Sequence, residues 1–156
     1  MTGPTPPAAS FVWTPQDQIC VVQPQDAGFG DTVYAGSGLL VAERIARVLL
    51  NHRQLNAIRV TDHSRPMEAC AARRGTYAVL PTILEWRHAR SAFLIKDSVR
   101  LELSLQRRGT AEPLRTVEFG MEESRPNVLV VPHDLLPKEF DDAVLRLLST
   151  PEASGR

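Results

Sequence analysis

Net charge is the first thing this chain lacks: 18 basic side chains stand against 18 acidic ones, a formal balance of +0. Nucleic-acid binding draws on a basic excess that neutralises phosphates, so a nucleic-acid partner is not expected. Cysteine is also scarce. Cys20 and Cys70 are the only two, and they form no CxxC spacing of the kind used in zinc ribbons or redox motifs. Both lie in apolar or helical surroundings, where a free thiol behaves as a small hydrophobe. Buried free thiols are therefore expected, and a disulfide between them stays open because sequence does not fix their distance. The histidines His52, His63, His88 and His133 are far apart, with no H-x-H or H-x-x-x-H pair, and each reads as a surface or loop residue. Neither a metal nor a cofactor is expected. No apolar run reaches the roughly 18–20 residues that cross a bilayer. Met1–Ser10 has neither a basic n-region nor an apolar core, so no signal peptide is read there.

The remaining composition is that of an ordinary globular protein, with 43% hydrophobic and 23% charged residues over 156 positions. One domain is expected at that length, large enough for its own core. Residues 1–10 form a leader rich in proline and small residues. Residues 11–149 form a single globular α/β domain, and residues 150–156 a disordered tail.

Ile19-Cys20-Val21-Val22 is a continuous apolar run, the pattern of a strand covered on both faces. A loop holding four of the chain's nine glycines follows, Gly28 to Gly38. Beyond it Leu39, Ala42, Ile45, Ala46, Leu49 and Leu50 recur at helical spacing, with Glu43, Arg44, Arg47 and Asn51 on the opposite side. Ser37 is placed to cap that helix. Asn56–Thr61 reads as a second strand, which completes a right-handed βαβ crossover. Pro66–Arg74 reads as a short helix started by proline and ended by Gly75, with Asp62 or Ser64 as its cap. Tyr77–Trp86 is a long apolar strand in which Pro81 signals an edge or a bulge. Val99, Leu101, Leu103 and Leu105 alternate with polar residues, and so do Val117, Phe119 and Met121, which predicts an antiparallel meander. Pro137–Leu148 closes the chain as a helix with Phe140, Val144, Leu147 and Leu148 inward; Asp141 and Asp142 fall on its solvated face. The fold class is mixed α/β: a βαβ unit, a helix, a three-stranded meander and a final helix on one mixed sheet. Val128–Val131 is a short strand or a docking loop.

The glycine loop enters a helix, and such turns present backbone amides to phosphates. Neither phosphate spacing is met: Gly38 is followed by Leu39-Leu40 rather than Lys-Ser, and the position three after Gly30 is Val33. The serine elbow G-x-S-x-G is missing as well, because Ala35 and Leu39 occupy its glycine positions.

Five segments, in order, carry a resemblance: Gln23–Gly28, Tyr34–Gly38, Leu80–Trp86, Asp97–Leu103 and Leu135–Pro137. In these the chain resembles a family of bacterial envelope lipoproteins classed only as a domain of unknown function. The resemblance implies a soluble domain tethered by a lipidated cysteine, and it implies no catalytic signature. Two departures stand out. The first cysteine is Cys20, inside a strand, and Ala27 splits the family's aspartate-glycine pair. The order of elements is also similar to that of small α/β envelope domains, including secretion-ring lipoproteins.

The expected function is that of a non-enzymatic cell-envelope domain acting through protein contacts. Its expected place is the periplasmic side of the envelope, anchored only through an N-terminal lipid absent from this chain, with a cytoplasmic location as the alternative. An envelope protein is the expected partner, and homo-oligomerisation is left open. Phe29, Tyr34 and Trp86 are the candidate contact residues, aromatics of the kind that favour interfaces. Gly36, Ser37 and Gly38 mark the alternative, a small-ligand, nucleotide or phosphate site at the first helix start.

Overall fold

The computed structural model describes residues 17–62, 64–110, 112–126 and 136–149. The leader, the tail, Val128–Val131, His63 and His133 lie outside the described residues, as does the side chain of Phe29. Among the described residues no helix is long and apolar enough to cross a membrane.

The elements run β1 (Ile19–Val22), β2 (Ala27–Phe29), β3 (Thr32–Tyr34), α1 (Ser37–Arg53), β4 (Ile58–Val60), α2 (Pro66–Ala72), β5 (Tyr77–Arg90), β6 (Leu94–Arg107), β7 (Arg115–Pro126) and α3 (Lys138–Leu148). A five-stranded mixed sheet has the order β4-β1-β5-β6-β7. β1 is parallel to both β4 and β5, while β5, β6 and β7 form the expected antiparallel meander. One feature goes beyond the expected single sheet. Part of the glycine loop pairs with itself as a separate two-stranded sheet, β2 and β3.

β1 is buried at every position because its two faces serve two cores. Ile19 and Val21 join the larger core under α1 and α3, whereas Cys20 and Val22 join a smaller one under α2. In the larger core Phe140 of α3 meets Phe119 of β7 edge-on at 5.4 Å between ring centres. Arg115 of β7 donates to the Arg146 carbonyl at 2.7 Å, which satisfies an orphan acceptor at the end of α3.

Several expectations change. The two cysteines are not free thiols: Cys20 and Cys70 form a disulfide, with Cα atoms 5.9 Å apart, joining β1 to α2. Gly75 does not end α2 by taking the left-handed turn; Arg74 does, at φ 62°. Gly75 is required for space, because a Cβ there would run into both disulfide sulfurs. The buried face of α1 is rotated from the expected one. Ala42, Ile45 and Leu49 point inward as expected, joined by Val41 and Val48, but Leu39 and Leu50 remain 40% and 50% exposed. Asp141 is not merely solvated, since it accepts from Arg44 Nε at 2.7 Å and ties α3 to α1. Pro81 sits where pairing with β1 has already stopped at Val79, so no ladder bond is lost on that side. The bulge falls just beyond, between Ile83 and Glu85, and leaves Leu84 exposed.

Candidate functional site

The start of α1 is built differently from the expected serine cap. The N-cap is Gly36, at φ 85°, and makes no side-chain capping bond. Ser37 is the first helical residue, 4% exposed, and its Oγ accepts the Ala27 amide at 2.8 Å. The capping group comes from ten residues upstream. Asp26 Oδ2 accepts the Gly36 amide at 3.0 Å and Oδ1 accepts the Gly38 amide at 2.9 Å. A carboxylate at a helix N-terminus satisfies orphan donors and complements the positive end of the dipole. Gly38 permits the arrangement, because a Cβ there would collide with the Pro24 carbonyl oxygen. The two glycine amides that would serve a phosphate are thus held by the protein's own anion.

Beside this helix start lies an open groove of about 570 Å³, lined by Tyr34, Gly36, Ser37, Leu40, Trp86 and His88. Four sequence-predicted residues line it: Tyr34, Gly36 and Ser37 from one short stretch, and Trp86, brought to them from 52 residues beyond Tyr34. Gly38 lies buried directly behind, and Phe29 lies in β2, paired with Thr32. Trp86 is not the exposed aromatic expected. It is 4% exposed and belongs to the larger core, so it meets the groove only at its wall. Its place on β5 opposite Val99, a residue of the apolar face, accounts for the burial. Tyr34 is half-buried, and its hydroxyl accepts the His88 amide at 3.4 Å. Val33, 69% exposed, stands next to it on β3.

Sequence reasoning missed the polar pair behind the groove. Asp97 has a fully buried side chain and lies opposite His88 in the β5–β6 register. His88 Nδ1 bonds Asp97 Oδ1, and Arg125 of β7 approaches the other oxygen at 3.6 Å. A buried carboxylate needs such partners, and the bond to Nδ1 fixes the imidazole ring where it lines the groove. The signal was available: carrying the alternation of Leu105, Leu103, Leu101 and Val99 back one step puts Asp97 on the core face. Asp62 lies elsewhere, at the turn into α2. Its carboxyl is held below the usual range by the Ser64 hydroxyl first, then by the Arg65 and Ser64 amides.

No family model and no curated protein matches the chain. Solved structures do share its fold. With a PelC dodecamer from Paraburkholderia phytofirmans the TM-score is 0.57 at 15% identity, covering 90% of this chain and 91% of that one. With lipoprotein GNA1162 from Neisseria meningitidis it is 0.50 at 10% identity, covering 69% and 83%. Protein XCC0632 from Xanthomonas campestris, labelled with the unknown-function family DUF330, gives 0.46 at 14% identity over 92% and 84%. The likeness is one of fold.

Proposed function

We propose that this chain is a non-enzymatic cell-envelope domain that assembles with further copies of itself through the surface around the Tyr34–Leu40 groove. The observation that carries the reading is apolar surface left outside the core. Leu40, 41% exposed, lines the groove; Val33, 69% exposed, precedes the groove residue Tyr34 on β3, and Leu39, 40% exposed, precedes Leu40 in the first turn of α1. A monomer gains nothing from exposing them, and clustered apolar surface of this kind is what interfaces cover. The neighbouring fold described as a dodecamer supports a second copy as the occupant. The disulfide supports the periplasmic side of the envelope, because such bonds persist in oxidising compartments. Anchoring through an N-terminal lipid is part of the proposal. The nucleotide or phosphate alternative is disfavoured by Asp26, which already holds the Gly36 and Gly38 amides.

Mass measurement by light scattering during gel filtration tests the assembly. The parent chain is expected above monomer mass. Leu40→Asp with Val33→Asp is expected to give monomers with an unchanged melting temperature, since both side chains are exposed. A monomeric parent, or a double variant of unchanged mass, overturns the reading. Recovery of native-source protein from the cytosol without an N-terminal lipid overturns the location.

A further inference from the structure

The tip of the β5–β6 hairpin has a composition that the fold does not require. Its turn is pinned. The Ser91 amide donates to the Leu94 carbonyl at 2.8 Å, and Ser91 Oγ accepts the Leu94 amide at 3.0 Å. Tight hairpin turns customarily carry Asn, Asp or Gly. Here the turn holds Phe93 at 87% exposure, the most exposed of the large apolar side chains described, with Leu94 at 40% beside it. The charge around it is one-sided. From Trp86 to Lys96 there are three cations, Arg87, Arg90 and Lys96, and no acidic residue, in a chain whose net charge is +0. All three cations are exposed. On the neighbouring β7 the residues level with the tip are Pro126, Arg125 and Ser124. The nearest carboxylate along that strand is Glu123, three rungs below Leu94. Three rungs are roughly 10 Å, beyond the Debye length of about 8 Å in physiological salt, so its charge is weak at Phe93 and Leu94, whereas Lys96, opposite Ser124, lies one rung from it. Asp97 is buried and engaged with His88 and Arg125.

We propose that this hairpin tip is a contact for an anionic lipid surface. Phe93 and Leu94 enter the interfacial layer of the bilayer, and Arg90 and Lys96 engage lipid phosphates. An exposed aromatic flanked by long basic side chains has the chemistry of that layer: the ring leaves water while the cations stay level with the headgroups. The contact is separate from any N-terminal lipid and gives the domain a fixed orientation on the membrane. It does not rest on self-assembly, although a ring presenting several tips would strengthen it by multivalency.

Vesicle cosedimentation of the full chain tests this, using phosphatidylcholine vesicles with and without phosphatidylglycerol. The expected result is partition onto the phosphatidylglycerol vesicles, weak partition onto phosphatidylcholine alone, and loss of the difference at high salt. Arg90→Gln and Lys96→Gln each reduce the partition coefficient about fivefold. Phe93→Ser reduces it about tenfold on both kinds of vesicle. Melting temperatures confirm that the exposed-site variants fold. Equal partition onto both vesicle types, no partition at all, or variants that behave like the parent overturn the proposal. Retention on immobilised poly-glutamate without cosedimentation also overturns it, in favour of an acidic protein partner.

Discussion

On one side of β5 the sheet is parallel and short: β1 has four residues and β4 three, with β1 covered on both faces. On the other side it is antiparallel and long: β6 has 14 residues and β7 has 12, with one face in the core and the other largely in water. The long side supplies its own cohesion through many ladder bonds and an unbroken row of Val99, Leu101, Leu103 and Leu105 against α3. It tolerates a buried carboxylate, Asp97, in that same apolar face. The short side has few rungs, and its smaller core is built from Cys20, Val22, Val60, Cys70 and Ala78. Its cohesion needs a cross-link. The difference teaches that stability in this domain is local in origin, covalent on one side of β5 and ladder-based on the other.

Removing the cross-link is the strongest way to break that comparison. Cys20 and Cys70 are 50 residues apart, and closing a loop of that size restricts the unfolded chain by about 4 kcal/mol. Cys20→Ala with Cys70→Ala is expected to lower the melting temperature by roughly 10 °C for a domain of this length. Hydrogen exchange should place the loss in β1, β4 and α2 while β6 keeps its protection. Uniform loss across both halves would show that the short side is not a separate unit. Gly75→Ala sharpens the result, because its Cβ clashes with the two sulfurs. It should destabilise the oxidised protein by about 2 kcal/mol and the reduced protein by less.

On the antiparallel side the corresponding cut is at Asp97. Asp97→Ala leaves Arg125 and His88 at the edge of the core without their carboxylate, an expected loss of about 3 kcal/mol by chemical denaturation. His88→Ala should cost about 1–2 kcal/mol, because the imidazole is partly solvated and Arg125 still faces Asp97. If His88→Ala proves the more costly of the two, the pair serves the groove rather than the sheet.

These contrasts were unequally legible in the sequence. Ile19–Val22 and the alternation through Leu105 announce the two halves of the sheet, because strand burial is written in local period. The disulfide was not legible, since nothing local says that residues 50 positions apart meet. Periodicity found α1 but misplaced its buried face. Leu39 and Leu50 are as apolar as core residues, and hydrophobicity alone does not say which leucines the fold covers. Tyr34 and Trp86 were singled out as contact aromatics and Gly36 and Ser37 as a ligand site; tertiary structure brought Trp86 to the other three. His88 and Asp97 went unread as a pair because their meeting depends on hairpin register.

An effect as small as that at His88 is expected where Asp26 caps α1. Asp26→Ala removes two bonds to the Gly36 and Gly38 amides from an exposed carboxylate, an expected loss of about 1–2 kcal/mol. Asp26→Asn should lose less, because the side-chain amide oxygen still accepts one bond. The variant also asks whether the helix start is an anion site in waiting. With Asp26 present, phosphate should not shift the melting temperature, because the amides are held. With alanine in its place the same amides face solvent at the positive end of α1, and millimolar phosphate or sulfate should restore part of the lost stability. Stabilisation of the parent chain by phosphate would instead mean that an external anion displaces or joins Asp26, and the groove would then have to be read as a ligand site.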